Sequence, residues 1–485
     1  MSIFKSKSIE SIMGEEEHSK NKLAKVLGSF DVTMVGVGAI IGAGIFAMVG
    51  EAALKGNAGP SLVISFIITA IACGFCALCY AELASMVPVS GSAYTYTYAT
   101  LGEIIAWIIG WDLVLEYAIG NIAVAISWSG YFNELIKSIF QIEIPLWLRI
   151  DYRSFIQRGY DITTVPHIFG IPVVFNLLAV IIVGFITWLL VKGVKESAKF
   201  NNLMVMLKIL ILLIFTAIGF YYFKSENLKP FAPGGFKGIQ IGAATIFFAY
   251  IGFDAVSTVA EETRNPQKDM PIGIIGSLII CTILYIIVTV SLMGMIPYKE
   301  IANQVNEPLV AGLNYHNAPK FWVALISLGA VISTTAVLLV FQMGQPRIFF
   351  AMARDGLLPK FFSKVHPIHK TTHITTIWTG VFVGFFSAIS NLDEMANLCN
   401  IGTLFAFILV SVGVIILRIK QPNRNRPFKV PFGFLIPILG IISCLYLILG
   451  LDKITWFRFI IWLIVGIFIY VLYGFKNSKL NIQKA

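Results

Sequence analysis

Two stretches decide the fold: Gly36-Val-Gly38-Ala-Ile-Ile-Gly42-Ala-Gly44-Ile-Phe46 and Phe247-Phe-Ala-Tyr-Ile-Gly252-Phe-Asp254-Ala-Val-Ser257. Each lies inside an apolar run, and each carries glycine where a helix interior disfavours it. Glycines near the middle of such a run predict an interrupted helix. The two interruptions, at Ala43 and Gly252, stand about 210 residues apart.

The surrounding composition says which solvent these runs face. Of the 485 residues, 57% are hydrophobic and 13% charged, and the mean hydropathy is +0.82. Soluble domains carry about a quarter charged residues. A soluble enzyme, a disordered chain and a nucleic-acid binder are all excluded. The net charge of +10 does not reverse this, because the basic residues lie between apolar runs rather than on one soluble face. Six cysteines are too few for a disulfide scaffold.

A membrane-crossing helix needs about 20 mainly apolar residues. Twelve runs qualify, over 31–53, 60–87, 103–136, 170–191, 197–223, 239–260, 272–296, 319–350, 373–391, 394–417, 432–450 and 456–475. Residues 1–29 are polar and contain no apolar core of an export signal. Twelve crossings place both termini on one side. About two thirds of the Lys and Arg fall on that side, which predicts cytoplasmic termini.

Runs 1 and 6, 2 and 7, and 3 and 8 repeat at nearly the same offset. A repeat of five crossings is odd in number, so its second copy must be inverted in the bilayer. The predicted fold is therefore all-α and polytopic. It has 12 transmembrane helices in a 5+5 inverted repeat, with discontinuous helices 1 and 6. The first repeat spans 30–223, the second 239–418, and two extra C-terminal helices lie within 432–475. Polar tails occupy 1–29 and 476–485. Paired interruptions in inverted halves point to a transporter with its substrate site at the midplane.

A broken helix leaves N–H groups at one half-helix start and C=O groups at the other half's end without intrahelical partners. In hydrocarbon they need partners. A zwitterionic amino acid supplies both, a carboxylate for the N–H groups and an ammonium for the carbonyls. We place the carboxylate at Gly42, Ala43 and Gly44, next to Ile41. We place the ammonium at the carbonyls of Phe248, Ala249 and Ile251, next to Gly252. The competing reading makes the glycines close-packing positions, as Gly38-x-x-x-Gly42 suggests. A phosphate-binding Gly loop fails, because the spacing is wrong and no βαβ unit surrounds it.

Ionisable residues inside the runs are functional candidates. Lys208 has only apolar neighbours for four residues on each side, which argues against snorkelling. A lysine there can lose and regain a proton, and its ammonium is expected to reach carbonyls near Ala39 and Ile40. Glu116 is a candidate for side-chain recognition or for holding a proton, and Asp112 shares its helix face. Asp254 reads as a cap of the resumed helix, and Glu82 equally as a gate-side or loop-anchoring group or as a coupling one. His18, His167, His316, His366, His369 and His373 all fall in or beside loops, so a histidine relay is not expected. Cys73, Cys76 and Cys79 fan around one helix without a histidine or acid and read as packing residues, so no metal or cofactor is implied. Tyr94, Tyr96 and Tyr98 suggest an interfacial or re-entrant aromatic anchor, and Glu15–Glu17 a solvated tail.

Four motifs, in order, carry a family resemblance. They are Gly36–Phe46, Pro88-Val-Ser-Gly91-Ser-Ala-Tyr94, Glu261-Glu-Thr-Arg-Asn265-Pro266 with Pro271, and Arg354-Asp-Gly-Leu-Leu-Pro359. A weaker fifth is Arg426-Pro-Phe-Lys-Val-Pro431. The chain resembles permeases of the amino acid–polyamine–organocation (APC) superfamily, and within it is most similar to bacterial members of the cationic amino acid transporter family. The resemblance implies a LeuT-like fold, alternating access and uptake of L-amino acids. It implies coupling to protons or, in some relatives, exchange. It also implies a gating role for Phe253, and for Lys208 the place that sodium holds in sodium-coupled cousins. Many relatives have Thr where this chain has Ala43, which leaves only backbone donors there. A channel would need rings of polar residues around an axis, and no intramembrane catalytic constellation suggests an enzyme. The expected partners are an L-amino acid, protons, the lipid of the cytoplasmic membrane and a possible small single-span protein. Apolar surroundings at Ala43 and Phe253 favour small or medium neutral amino acids, whereas the resemblance and Glu116 favour arginine and lysine.

Overall fold

The computed structural model describes residues 5–10, 25–87, 92–193, 198–366 and 371–482. His18, His369, the acidic Glu15–Glu17 and the Pro88–Gly91 part of the second motif lie outside them. Nine helices among the described residues are long and apolar enough to cross a membrane, and three shorter apolar helices accompany them. In chain order the twelve are α1 (Ser29–Asn57), α2 (Gly59–Met86), α3 (Glu103–Phe140), α4 (Leu177–Lys192), α5 (Ala198–Tyr221), α6 (Gly235–Ser257), α7 (Pro266–Met295), α8 (Lys320–Arg354), α9 (His373–Ile389), α10 (Leu392–Lys420), α11 (Leu435–Ile448) and α12 (Lys453–Asn477). The chain is thus a mostly helical, multi-pass membrane protein.

The helices sort by what surrounds them. The most apolar windows of α1, α3 and α6 are buried over 94%, 89% and 89% of their residues, against 22% for α12. A helix that is apolar all round and enclosed by others belongs to the interior. The two interrupted helices and α3 therefore form the centre, and α12 presents isoleucine and phenylalanine to the surroundings.

Two expectations need correcting. The fourth run begins at Leu177 rather than at 170, because Gly170 (φ +77) turns a short antiparallel hairpin. That hairpin pairs β1 (His167–Ile168) with β2 (Ile171–Pro172). Helix α4 then starts where the Asn176 side chain caps it, accepting from Ala179 N–H at 3.1 Å. The tyrosine-rich segment is not an interfacial anchor. Ser92–Thr100 is a helix whose Tyr94, Tyr96 and Tyr98 are all buried. Tyr94 donates to Asp355 at 2.8 Å and Tyr98 to Glu103 at 3.0 Å. Thr97 and Thr100 bond back to the preceding turn, at Ala93 O and Tyr96 O.

Outside the centre, the described parts of the motifs make contacts that fix loops and helix ends. Leu27 pairs in parallel with Thr263, so the Glu261–Pro266 motif docks the chain entering α1. Asp355 of the Arg354–Pro359 motif accepts from Lys7 at 3.2 Å as well as from Tyr94. Glu82 is a loop anchor. Its buried carboxylate accepts from Arg418 Nε at 3.0 Å and Val430 N–H at 2.8 Å, and faces Arg426 Nε at 3.3 Å. Removing one member of such a cluster leaves buried charges uncompensated, at about 3–5 kcal/mol. Glu82→Ala is therefore expected to lower the melting temperature of the purified protein by several degrees. An unchanged melting curve would show that the arginines find other partners.

Glu307 precedes α8, and its carboxyl is seated against Gly130 of α3, where no Cβ could fit. Burial, then nearby Glu134, push it up to about 7. A carboxyl that binds its proton more tightly when folded loses that stabilisation as pH rises from the unfolded value towards the folded one. Thermal stability should decline between about pH 4.5 and 7 by about 3 kcal/mol. Glu307→Gln should flatten that part of the profile, measured by melting in detergent across the pH range.

Candidate functional site

Both predicted interruptions are present. Helix α1 is regular through Ile40, and Ile41 turns extended (φ −73, ψ 97). The chain re-enters helix at Ala43 and runs through a wide turn over Gly44–Met48. Helix α6 is regular through Ile246, tightens over Phe247–Tyr250 and opens at Ile251 (φ −61, ψ 132). Gly252 has φ +124, a conformation that favours glycine. Helical turns resume at Asp254.

The two interruptions lie against each other. A Cβ on Gly252 would stand 2.7 Å from the Ala39 carbonyl oxygen, and one on Gly44 would overlap the Ala249 backbone. The close-packing reading does describe Gly36 and Gly38, which seat Ser277 of α7 and Val205 of α5. It also describes Gly42, which seats Val337, and Gly44, which seats Ala249, while Gly252 lies in non-helical backbone at φ +124 as well. Ile41, Ala43, Phe248, Ala249, Ile251 and Phe253 are all buried around the break.

Lys208 is fully buried. Its ammonium donates to Gly38 O at 3.0 Å and Ile41 O at 3.3 Å. These flank the expected positions, near Ala39 and Ile40. The Ile40 carbonyl itself receives Tyr285 Oη of α7 at 2.9 Å, and the Ala39 carbonyl faces Gly252. The extended ψ at Ile41 swings its carbonyl out of the helical row, which is why Lys208 reaches Ile41 together with Gly38. Lysine and tyrosine thus occupy the carbonyl end of the first half-helix. The N–H groups that begin the second half are the ones a helix cannot satisfy internally.

Sequence reasoning missed three contributors. Tyr285 gave no signal beyond being a tyrosine deep in an apolar run. Tyr131 of α3 donates to Phe46 O at 2.5 Å, which ties α3 to the resumed half of α1. Val337 of α8 lies over the break, since a Cβ on Gly42 would come within 2.8 Å of its Cγ2. Before it lies the polar stretch Ser333-Thr334-Thr335, whose Ser333 hydroxyl is buried with no hydrogen-bond partner among the described residues. Thr335 accepts from Trp128 Nε1 at 2.9 Å, and Thr334 bonds back to Ala330 O at 2.7 Å.

On the far side of the α6 break, Phe253 packs on Phe407 (4.9 Å between ring centroids) and edge-on to Tyr80 (5.9 Å). Tyr80 in turn meets Tyr96 at 6.3 Å. These four rings form one contiguous aromatic cluster in the interior. Asp254 opens the resumed helix, whose cap position is Phe253 with no side-chain cap hydrogen bond, and its carboxyl lies near the backbone N–H groups of Gly252 and Ala255. Glu116 and Asp112 face α10. The Glu116 carboxyl lies beside Thr403, and a Cβ on Gly402 would be 2.7 Å from Asp112 Oδ1. Neither Asp112 oxygen has a hydrogen-bond partner among the described residues. Asp254, Glu116 and Asp112 lie close enough to interact electrostatically. In the cysteine row, Cys76 Sγ lies 3.4 Å from Cys444 Sγ.

Paired helix interruptions inside a buried bundle, with a lysine on the exposed carbonyls, define a membrane permease rather than an enzyme. The sequence agrees in detail. The amino acid permease family model matches residues 27–473, and the chain belongs to that family, within the APC superfamily. It is 49% identical over 482 residues to the branched-chain amino acid permease BcaP of Bacillus subtilis (strain 168), covering 99% of each chain. It is 44% identical over 481 residues to the methylthioribose transporter of the same organism, again covering 99% of each. It is 38% identical over 430 residues to the vacuolar cationic amino acid transporter 2 of Arabidopsis thaliana, covering 87% of this chain and 64% of that one.

Proposed function

We propose that this permease imports neutral L-amino acids across the cytoplasmic membrane by alternating access, driven by protons. One observation carries the proposal. The two interruptions lie face to face, with Lys208 on the carbonyl end of the first. The substrate carboxylate takes the N–H groups at Gly42, Ala43 and Gly44, beside Ile41. Its ammonium takes the carbonyls of Phe248, Ala249 and Ile251, beside Gly252. Moving protons through Lys208 makes and breaks its hold on Gly38 and Ile41, and so biases the first half of α1. Phe253, with Tyr80, Tyr96 and Phe407, closes the path on one side. In this reading all twelve apolar helices cross, as a 5+5 inverted repeat followed by α11 and α12, with both termini cytoplasmic.

A neutral, aliphatic side chain suits the surroundings. Val337 and Ala43 offer apolar contact and no charge. The similarity to a branched-chain permease supports the same class. Glu116 belongs to the α10 side, where it serves a cationic substrate if one is carried.

The test is uptake of labelled L-leucine and L-alanine into proteoliposomes, sodium absent, with and without an inward proton gradient. Accumulation that requires the gradient is expected. Movement only against an internal amino acid would replace symport by exchange. Failure of both labels, with arginine, lysine or methylthioribose transported instead, would overturn the neutral class.

A further inference from the structure

The Arg426–Pro431 motif has no part in the transport cycle described above, yet it is built with care. Glu82 holds Arg426 and the Val430 N–H, and Ser85 Oγ accepts from the Phe428 N–H at 3.3 Å. These contacts pin the loop between α10 and α11 onto the end of α2. There Pro427 and Phe428 wall one end of a cavity of about 650 Å³, whose other wall is the first four turns of α7, from Gln267 to Ile279. A second cavity of about 470 Å³ continues from it between α7 and α2, and the two share Ile275 and Ile279. Together they form one groove along the outer surface of the bundle.

The groove is polar at one end only. Gln267 and Lys268 stand at the pinned loop, and beyond Pro271 the lining is almost wholly aliphatic. Lys268 is exposed, and no ion pair holds it among the described residues. It lies in the first turn of a 30-residue helix, where the backbone dipole adds positive potential. The acid beside it, Asp269, is turned inward to Ser29 and to the Asn265 N–H, so it does not neutralise the groove. Midway along α2 the groove has a notch at Gly74, where an added Cβ would meet nothing within 4 Å. Ile71, Ile279 and Ile283 around it are exposed.

We propose that this groove is a binding site for one anionic phospholipid. Its phosphate sits at Lys268 and Gln267 under Phe428, and an acyl chain runs along Ile275 and Ile279 to the notch at Gly74. The charge is complementary at one end, and the shape and apolarity fit at the other. The leaflet is the one at the Pro266 end of α7, which is cytoplasmic in the orientation proposed above. Behind the groove α7 rests on the first half of α1, through Gly273 against Val32 and Gly36 against Ser277. A lipid seated there buttresses the helix that carries the interruption.

The test uses the purified full-length protein in detergent, offered equal amounts of phosphatidylglycerol and phosphatidylcholine with identical chains, and counts retained lipid by native mass spectrometry. A single lysine at a membrane surface corresponds to roughly fivefold selectivity for an anionic lipid, and that preference is expected. Lys268→Gln should bring the ratio close to one while leaving total retention in place. Gly74→Phe should lower retention of both lipids without lowering the melting temperature, since it fills space the protein does not use. Equal retention of the two lipids by the wild type would overturn the proposal. So would a preference that survives Lys268→Gln, or full retention in Gly74→Phe.

Discussion

Lys208→Ala is expected to abolish proton-driven accumulation while leaving amino acid binding measurable. A gradient of one pH unit supports up to about tenfold accumulation for a one-to-one symporter. The variant should instead only equilibrate its substrate across the membrane. The argument rests on where the ammonium goes. It ties Gly38 and Ile41 together on the first half of α1, and a lysine enclosed in hydrocarbon is costly unless it is used. Losing it also leaves two buried carbonyls short of a donor, at about 1–3 kcal/mol, so binding must be measured alongside to confirm a folded site. Lys208→Arg separates two roles. Arginine remains charged at every accessible pH, so a purely structural cation would tolerate it, whereas a titrating group would not. Gradient-driven accumulation persisting in Lys208→Ala would end the coupling role.

Gly42→Val is expected to weaken amino acid binding by about 10- to 100-fold, the range that overpacking a tight interior reaches. The space a side chain needs is already taken by Val337, 2.8 Å from where a Cβ would stand. The added methyls must either move α8 or intrude on the N–H groups of the break. Val337→Ala made in the same chain should recover part of the affinity, because it returns the missing volume. Equilibrium binding of labelled L-leucine to the purified variants decides this. Wild-type affinity in Gly42→Val would move the substrate away from the break.

What could be read from the sequence at the centre was backbone, and what could not was partnership. Gly252 announced a break because no other residue adopts φ +124 without strain. Lys208 announced itself because a charge in an apolar run needs a reason. The sequence placed its acceptors near Ala39 and Ile40; that they include Gly38 and Ile41 follows from the turn at Ile41, which redirects a carbonyl that a regular helix would have kept in line. Tyr131, Tyr285 and Val337 stood unmarked in the sequence. A tyrosine or valine in an apolar run looks the same whether it faces lipid or the site, and only helix rotation separates the two.

The loops divide along the same line. Glu82 could be suspected of anchoring a loop from its place near a helix end, but its arginines, Arg418 and Arg426, lie more than 300 residues further along the chain. Tyr94 and Tyr98 were expected at an interface, because their interior partners Asp355 and Glu103 lie outside their own short helix. By itself the sequence determined the solvent, the helices, the two interruptions and the family. Each of these follows from apolar run length, from glycine's backbone freedom or from ordered motifs, all of which are local along the chain. The tertiary structure alone decided how closely the interruptions approach, which side chains hold their carbonyls, and that α2 and α7 leave a groove with a lysine at its mouth. Those depend on how helices distant in sequence are rotated and packed against one another, and no local pattern carries that rotation.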